Sequence, residues 1–191
     1  MNVTTTKTPK SIARWIATTA AAMSALMLVG VAQAAVDGIA GTAFGLTARA
    51  AFTSQPDGAS IYSWGYGCTT PPPTTAFRPT KTGGAPAANC PLMQIPGPTL
   101  IVTQGVPVTV TLTNNLPNGA GRTSIVFPGL AVTAADGVDG LVTKEATPNG
   151  GTVTYSFTPT NPGTYAYYSG TQADLQIEMG LFGSIVVLPQ G

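Results

Sequence analysis

The chain has 191 residues, of which 8% are charged, and a formal net charge of +1 with no histidine. It has neither a basic stripe nor a charge run, so it offers nothing to attract nucleic acid or an anionic membrane surface. The absence of histidine also excludes Ser-His and Cys-His nucleophile arrangements. Its 23 glycines and 17 prolines are typical of short strands separated by turns.

The first predicted element is an export signal. Three basic residues within the first 14 positions precede an apolar run from Trp15 to Val31, and "AQA" follows it. This layout is typical of a secretory signal peptide and predicts cleavage after Ala34. A retained anchor is the alternative, but the run is short and rich in Ala, Thr and Ser. We therefore expect residues 1–34 to be a leader and 35–191 to be one exported domain, periplasmic or extracellular and not membrane-bound after cleavage.

The first strands of this domain follow from alternating apolar residues. From Phe44 to Phe52 every second residue is apolar, which predicts a half-buried strand. "QPDG" at 55–58 is a turn, and "SIYSWGYG" at 60–67 is the expected second strand.

The two cysteines, Cys68 and Cys90, bracket a Pro/Gly/Thr-rich segment. In an oxidising compartment a disulfide would close this segment as a loop at 67–91. Loop-closure entropy predicts about 3 kcal/mol of stabilisation from such a bond. A copper(I) site made of the two thiols is the alternative, and it requires reduced sulfur in an exported protein.

Further strands are expected after this loop, with a loop rich in Gly and Asp between the third and the fourth of them. Their predicted ranges are 99–103, 106–114, 123–129, 151–159, 164–169 and 183–189. Alternation places one set of residues inward: Val108, Val110, Leu112, Val153, Tyr155, Phe157, Tyr165, Ile185 and Val187. We find no convincing helix and no internal repeat. Seven or eight short strands favour an all-β Greek-key sandwich or a small barrel.

Four motifs occur in order between Pro96 and Pro189: "PGPT", "TNNLP", "PGTY" and "MGLFG". This stretch resembles the first, plastocyanin-like cupredoxin domain of the multicopper oxidases. The resemblance implies an all-β, cupredoxin-like Greek-key β-sandwich of seven or eight strands. Residues 36–67 are compatible with it but carry little signal, and the 67–91 loop resembles an insertion.

The resemblance also implies where copper ligands would lie. In the family this domain supplies four histidines, as two His-x-His pairs, to a three-copper cluster. In this sequence the corresponding positions carry Val126, Pro128, Tyr168 and Gly170. Three of these side chains have no ligand atom, and a phenol has a high pKa. We therefore expect no catalytic residue, no metal ligand and no cofactor in the isolated chain, with copper implied by family resemblance alone.

Aromatic residues beside these positions have ordinary structural interpretations. Tyr165 and Tyr167 are expected to be core or corner tyrosines, and Phe127, which replaces the family's Trp, is expected in the core. Tyr168 is interpreted as a gap-filling side chain, with contact to a partner or ligand as the alternative.

Two other pairs of residues carry potential metal-ligating atoms. Met93 and Met179 are far apart in sequence and are expected to pack in the core. Asp136 and Asp139 lie in "AADGVDG" and could bind a divalent cation, but Asp-Gly pairs more often form turns.

These observations support three hypotheses about function. The first is a non-catalytic binding or assembly module, whose partner is a further cupredoxin domain or another exported protein. The second is the amino-terminal domain or fragment of a larger multicopper oxidase, which would be a copper-dependent oxidase when completed. The third is a copper-trafficking protein that uses Cys68, Cys90 and methionines.

Overall fold

The computed structural model describes residues 38–80 and 89–191. The chain divides into two units, Met1–Ala35 and Val36–Gly191, and the described residues all belong to the second. The predicted leader, 1–34, therefore lies outside the described residues, and its cleavage stays a prediction. Within the described ranges no helix is both long and apolar enough to cross a membrane.

Twelve strands are found in the described residues. In chain order they are β1 (Gly38–Ala40), β2 (Ala43–Ser54), β3 (Ser60–Cys68), β4 (Phe77–Arg78), β5 (Thr99–Thr103), β6 (Val108–Asn115), β7 (Val132–Asp136), β8 (Val138–Asp139), β9 (Lys144–Glu145), β10 (Thr152–Phe157), β11 (Gly163–Tyr168) and β12 (Phe182–Leu188). One short α-helix, α1 (Ala173–Gln176), precedes β12, and 3-10 turns occur at Thr74–Ala76 and Asn118–Ala120.

The strands form two five-stranded sheets and a separate hairpin. The first sheet has the order β11-β12-β5-β1-β4, and the second has the order β3-β2-β6-β10-β7. Strands β8 and β9 pair only with each other. Because one face of each large sheet is apolar, the two sheets bury those faces as the core of a sandwich.

The alternation seen in the sequence sets the register of the second sheet. Val110 lies opposite Tyr155 and Leu112 opposite Val153 in the antiparallel pair β6–β10. Eight of the nine predicted inward residues are buried, and the ninth, Tyr165, is partly buried against the core. The predicted sandwich and its core face are therefore confirmed.

Three local predictions are wrong. Residues 123–129 do not form a strand: Thr123 and Val126 make only isolated bridges, because Pro128 has no N–H and Gly129 has a φ of 84°. The Gly/Asp-rich loop instead contains β7, β8 and β9. The helix α1 was missed because four residues are too few to show a helical period.

The predicted disulfide between Cys68 and Cys90 is present, with the two Cα atoms 5.7 Å apart. The segment that it closes is more than an appended loop. Phe77 is 1% exposed in the core, and β4 pairs with β1 at the edge of the first sheet. The disulfide therefore fixes a piece of the sandwich itself, which corrects the expectation of a peripheral insertion.

Candidate functional site

All four positions singled out by the family resemblance line one open cleft of about 530 Å³. Val126 and Pro128 form part of one wall, and Tyr168 and Gly170 lie on the segment beside it. The hairpin tip at Val142 and the start of α1 complete the rim. Whether these positions correspond to family ligand positions stays a prediction, but they are neighbours in space.

Backbone pairing holds the two segments together. The N–H of Val126 donates to the carbonyl of Tyr168 at 2.8 Å, and the N–H of Tyr168 donates back at 3.2 Å. This reciprocal pair is an antiparallel bridge outside the sheets. It brings the side chains of the two segments to the same end of the sandwich.

Val126 packs closely against Gly170, so that a side chain at position 170 would conflict with it. A Cβ atom added to Gly170 would lie 2.7 Å from Cγ1 of Val126 and 3.1 Å from Oγ of Ser124. Gly170 does not have a positive φ, so its backbone would accept another residue. Space, rather than conformation, therefore favours glycine here.

Aromatic residues support the cleft from the core side. Phe127 is buried, and its ring centroid lies 5.1 Å from that of Phe157, 5.8 Å from that of Tyr155 and 6.0 Å from that of Tyr167. The prediction that Phe127 belongs to the core is confirmed. This cluster gives the cleft a rigid apolar base.

A chain of buried hydrogen bonds lies beside the cleft. Thr171 donates its hydroxyl proton to Glu145 Oε1 at 2.9 Å, and Ser124 Oγ lies 2.8 Å from Thr171 Oγ1. Because Thr171 has one hydroxyl proton, Ser124 is the donor in that second bond. Arg122 Nη1 approaches the other carboxylate oxygen of Glu145 at 3.8 Å.

Gln176 ties the short helix to the same network. Its side chain is fully buried, and its Oε1 accepts hydrogen bonds from Thr123 at 2.8 Å and from Ser169 at 2.7 Å. Its Nε2 donates to the carbonyl of Arg122 at 2.8 Å. We call these residues the polar network: Arg122, Thr123, Ser124, Glu145, Ser169, Thr171 and Gln176.

Two buried tyrosine hydroxyls are used for structure on the same side of the core. Tyr155 accepts from the N–H of Ile125 at 3.0 Å and donates to the carbonyl of Lys144 at 2.8 Å. Tyr66 donates to the carbonyl of Ser124 at 2.9 Å. Burial raises the pKa of both phenols above the ordinary value, so each stays protonated.

Tyr165 and Tyr167 of β11 are corner and core residues, as predicted. Tyr165 donates to the carbonyl of Asn161 at 3.1 Å, four residues upstream, as corner tyrosines do. Tyr167 is fully buried and donates to the carbonyl of Pro98 at 2.6 Å. Burial raises the pKa of Tyr167 as well.

Within the described residues, no group of three or more His, Cys, Asp or Glu is arranged to hold a metal ion. The aspartates are used separately: Asp139 pairs with Lys144 at 2.8 Å, and this ammonium lowers the pKa of its carboxyl group, whereas Asp136 is exposed at a φ of 60°. Met179 packs against the core and Met93 is partly buried.

Sequence analysis missed the polar network. Glu145 was not singled out because "TKEATP" has no periodicity that predicts burial. Gln176 lies in a helix too short to recognise, and its partners are 53 and 7 residues away along the chain. Only the three-dimensional pairing makes these polar residues recognisable as interior.

The chain is similar to known proteins in sequence and in fold. A family model described as "Multicopper oxidase" matches residues 90–191, which include both segments of the cleft. An iron transport multicopper oxidase of Epichloe festucae is 40% identical over 94 residues, covering 48% of this chain and 14% of the fungal protein. An L-ascorbate oxidase of Cucurbita pepo is 35% identical over 98 residues, covering 50% of this chain and 17% of the plant protein. The chain thus spans about one sixth of these relatives.

Solved structures share the fold. A multi-copper oxidase from Pseudomonas thermotolerans superposes with a TM-score of 0.57 at 21% identity, covering 81% of this chain and 31% of the other. A copper nitrite reductase from Nitrosomonas europaea superposes with a TM-score of 0.52 at 24% identity, covering 78% and 42%. At these identities the likeness concerns the sandwich alone.

Proposed function

The chain belongs to the multicopper oxidase family, and from this premise we propose that it is an exported cupredoxin-like domain that has lost its trinuclear-copper ligands and acts as a non-catalytic binding or assembly module. Its partner is a further cupredoxin domain or another exported protein. The cleft at 125–130 and 168–170 is the binding surface.

The observation that carries this proposal is the chemistry of the cleft. The four positions assigned by resemblance carry Val126, Pro128, Tyr168 and Gly170, and they line the same recess. Copper centres in proteins use imidazole, thiolate or thioether ligands, and the sequence has no histidine. These residues do not fit a copper cluster, so no step of a copper-dependent reaction is assigned to them.

Packing supports the same conclusion. The side chain of Val126 fills the space above Gly170, since a Cβ on Gly170 would approach Cγ1 of Val126 to 2.7 Å. This close contact is typical of a wall that is packed with apolar side chains, whereas the cleft in front of it stays open, with a volume of about 530 Å³.

The disulfide bears on localisation and on the copper-trafficking hypothesis. A bond between Cys68 and Cys90 is favoured by an oxidising compartment, which supports export. Both cysteines are buried and consumed by this bond, so neither offers the thiolate that a copper(I) site requires.

The second candidate, the amino-terminal part of a larger multicopper oxidase, is favoured by the span of the matches. The aligned stretch covers only 14% and 17% of two longer relatives. If in-frame sequence after Gly191 encodes cupredoxin domains with His-x-His and Cys-His motifs, copper binding and oxidase activity would belong to the completed protein.

Copper analysis of the secreted protein tests the metal-free proposal. We expect the unmodified chain to retain no stoichiometric copper after loading and mild chelation. A variant carrying Val126→His, Pro128→His, Tyr168→His and Gly170→His should retain copper measurably, because it places two His-x-His pairs at one cleft. Val126 is changed together with Gly170 because Cγ1 of Val126 occupies the space that a side chain at position 170 would enter.

The matched control replaces the same four residues with asparagine, which changes polarity and size without supplying imidazole. Circular dichroism must show native sheet in each variant, and a version that keeps Pro128 covers the case in which its replacement disturbs the backbone. Tight one-to-one copper binding by the unmodified protein would overturn the proposal.

A further inference from the structure

The hairpin β8–β9 holds two apolar side chains out in solvent beside the cleft. Its tip carries Leu141 and Val142, which are 98% and 67% exposed. Val142 also lines the cleft, and its Cβ lies 3.8 Å from the place that a Cβ on Gly170 would take. Leu141, the most exposed large apolar side chain among the described residues, is therefore the chain neighbour of a residue at the rim of an apolar recess.

This hairpin is anchored rather than loose. Lys144 and Asp139 close it with an ion pair at 2.8 Å, and the N–H of Gly140 donates to the carbonyl of Thr143 at 3.1 Å. At its base, Tyr155 donates to the carbonyl of Lys144 at 2.8 Å, and Glu145 is held in the polar network. The backbone that carries Leu141 is thus held in place, which lowers the entropy cost of using this residue as a contact.

The neighbouring cleft is suited to receive such a side chain. Its lining is mostly apolar, with Val126, Pro128 and Leu130 on one wall, and its volume of about 530 Å³ exceeds that of a leucine side chain. Apolar recesses that accept a single large side chain are where binding energy concentrates in protein interfaces.

We propose that the occupant is a second copy of this chain, with Leu141 of each copy inserted into the cleft of the other. A surface that carries a projecting apolar group next to an apolar recess is self-complementary about a two-fold axis, so both contacts can form at once. The inference rests on the proposed function, since it uses the same cleft as the binding surface, and it names the partner.

Charge does not oppose this pairing. After the predicted cleavage, residues 35–191 carry five basic and seven acidic residues, a formal net charge of only −2. Asp139 and Lys144, which flank the hairpin tip, neutralise each other within one copy. Two identical faces can therefore approach without the repulsion between like charges that would select against a self-contact.

Sedimentation equilibrium of the exported protein, purified after secretion so that the disulfide forms, tests the proposal over a range of concentrations. We expect a monomer–dimer equilibrium in the unmodified protein. Leu141→Ser should weaken dimerisation at least about tenfold. Phe52→Ser is the matched control, because Phe52 is 68% exposed on another hairpin and does not line the cleft.

A mixing experiment identifies the mode of contact. Ala173→Trp should fill the cleft and also prevent self-association, with Val142→Trp as a second cleft-filling variant. An equimolar mixture of Leu141→Ser with Ala173→Trp should recover heterodimer, because one intact leucine then meets one intact cleft. Neither variant alone can form that contact.

Four outcomes would overturn the proposal. The first is a monomer at every concentration up to about 1 mM, where a dissociation constant corresponds to only about −4 kcal/mol of binding free energy. The second is a dimer that Leu141→Ser leaves intact. The third is a mixture of the two variants that recovers no heterodimer although each variant is folded. The fourth is native mass spectrometry that finds a small molecule bound in the cleft of a monomer. Copper binding by the unmodified chain is measured separately, so failure of this inference is distinguishable from failure of the metal-free proposal.

Discussion

The polar network and the cleft lie side by side on the same two chain segments, yet they are built on opposite principles. In the network, every side chain is tied to a defined partner: Gln176 alone makes three hydrogen bonds, and Thr171 links Ser124 to Glu145. In the cleft, Val126, Pro128 and Gly170 offer no polar side-chain atom.

The polar network stabilises the scaffold, whereas the cleft is the surface that the scaffold presents. Removing one partner from a buried network leaves other polar groups unsatisfied, so these residues can be changed only together. Val126, Pro128 and Gly170 in the cleft are instead partly or fully exposed, and they contribute shape without hydrogen bonds from a side chain. A scaffold of this kind can lose a chemical site at its surface while its interior keeps the two segments in register.

The largest expected effect concerns the buried phenols at alkaline pH. Burial raises the pKa of Tyr66, Tyr155 and Tyr167 above the ordinary value of 10.0. Below that value both folded and unfolded chains keep these protons, so the contribution to stability is constant. Above it the unfolded chain releases protons that the folded chain retains, and the free energy of unfolding falls as pH rises.

We therefore expect alkaline unfolding in which three of the six tyrosines ionise only as the sheet signal disappears. Tyrosinate absorbance and far-UV circular dichroism, followed on the same samples, measure this. If all six ionised while the sheet signal remained native, the interior would not be closed to solvent and the comparison would fail.

The next largest effect on stability is expected from a substitution at the centre of the polar network. Gln176→Leu removes the acceptor for the buried hydroxyls of Thr123 and Ser169 and the donor to the carbonyl of Arg122. Two or three unsatisfied polar groups should cost about 3–5 kcal/mol of the free energy of unfolding. Urea denaturation measures this loss of stability.

Glu178→Leu is the matched control, since Glu178 is exposed just after the same helix. It should change stability by less than about 0.5 kcal/mol. Equal effects of the two substitutions would show that the network contributes nothing specific.

The fold was largely predictable because its signals are local. The alternation of Val108, Val110 and Leu112 with polar residues predicted both the strand and its buried face. The ordered motifs predicted the family and the cupredoxin-like sandwich, and the comparisons confirm both. The disulfide was predictable from export and from the composition of the segment between the cysteines.

The strand predicted at 123–129 was wrong because burial there does not alternate: Thr123, Ser124 and Ile125 are all buried. Their environment is set by Gln176, Thr171 and other residues distant in the chain, which no single-sequence period can reveal. For the same reason sequence reasoning named the positions on the cleft but missed the network beside it.

The smallest effect tests the cleft itself, where shape replaces hydrogen bonding. Gly170→Ala would place a Cβ 2.7 Å from Cγ1 of Val126, and Val126 must rotate or shift to relieve that contact. Overpacking of this kind costs about 1–3 kcal/mol, and the exposed edge of the cleft should hold the loss near the lower end of that range.

Val126→Ala removes the atom in conflict, so the double variant should lose less stability than the sum of the two single variants, with a coupling of about 1 kcal/mol in a double-mutant cycle. Gly119→Ala is the control, because a Cβ there meets no atom within 4 Å. Additive losses at 126 and 170 would mean that Val126 does not fill the space above Gly170. In that case the cleft would be an emptied site rather than a repacked one, and restoring imidazoles there would need no concerted change.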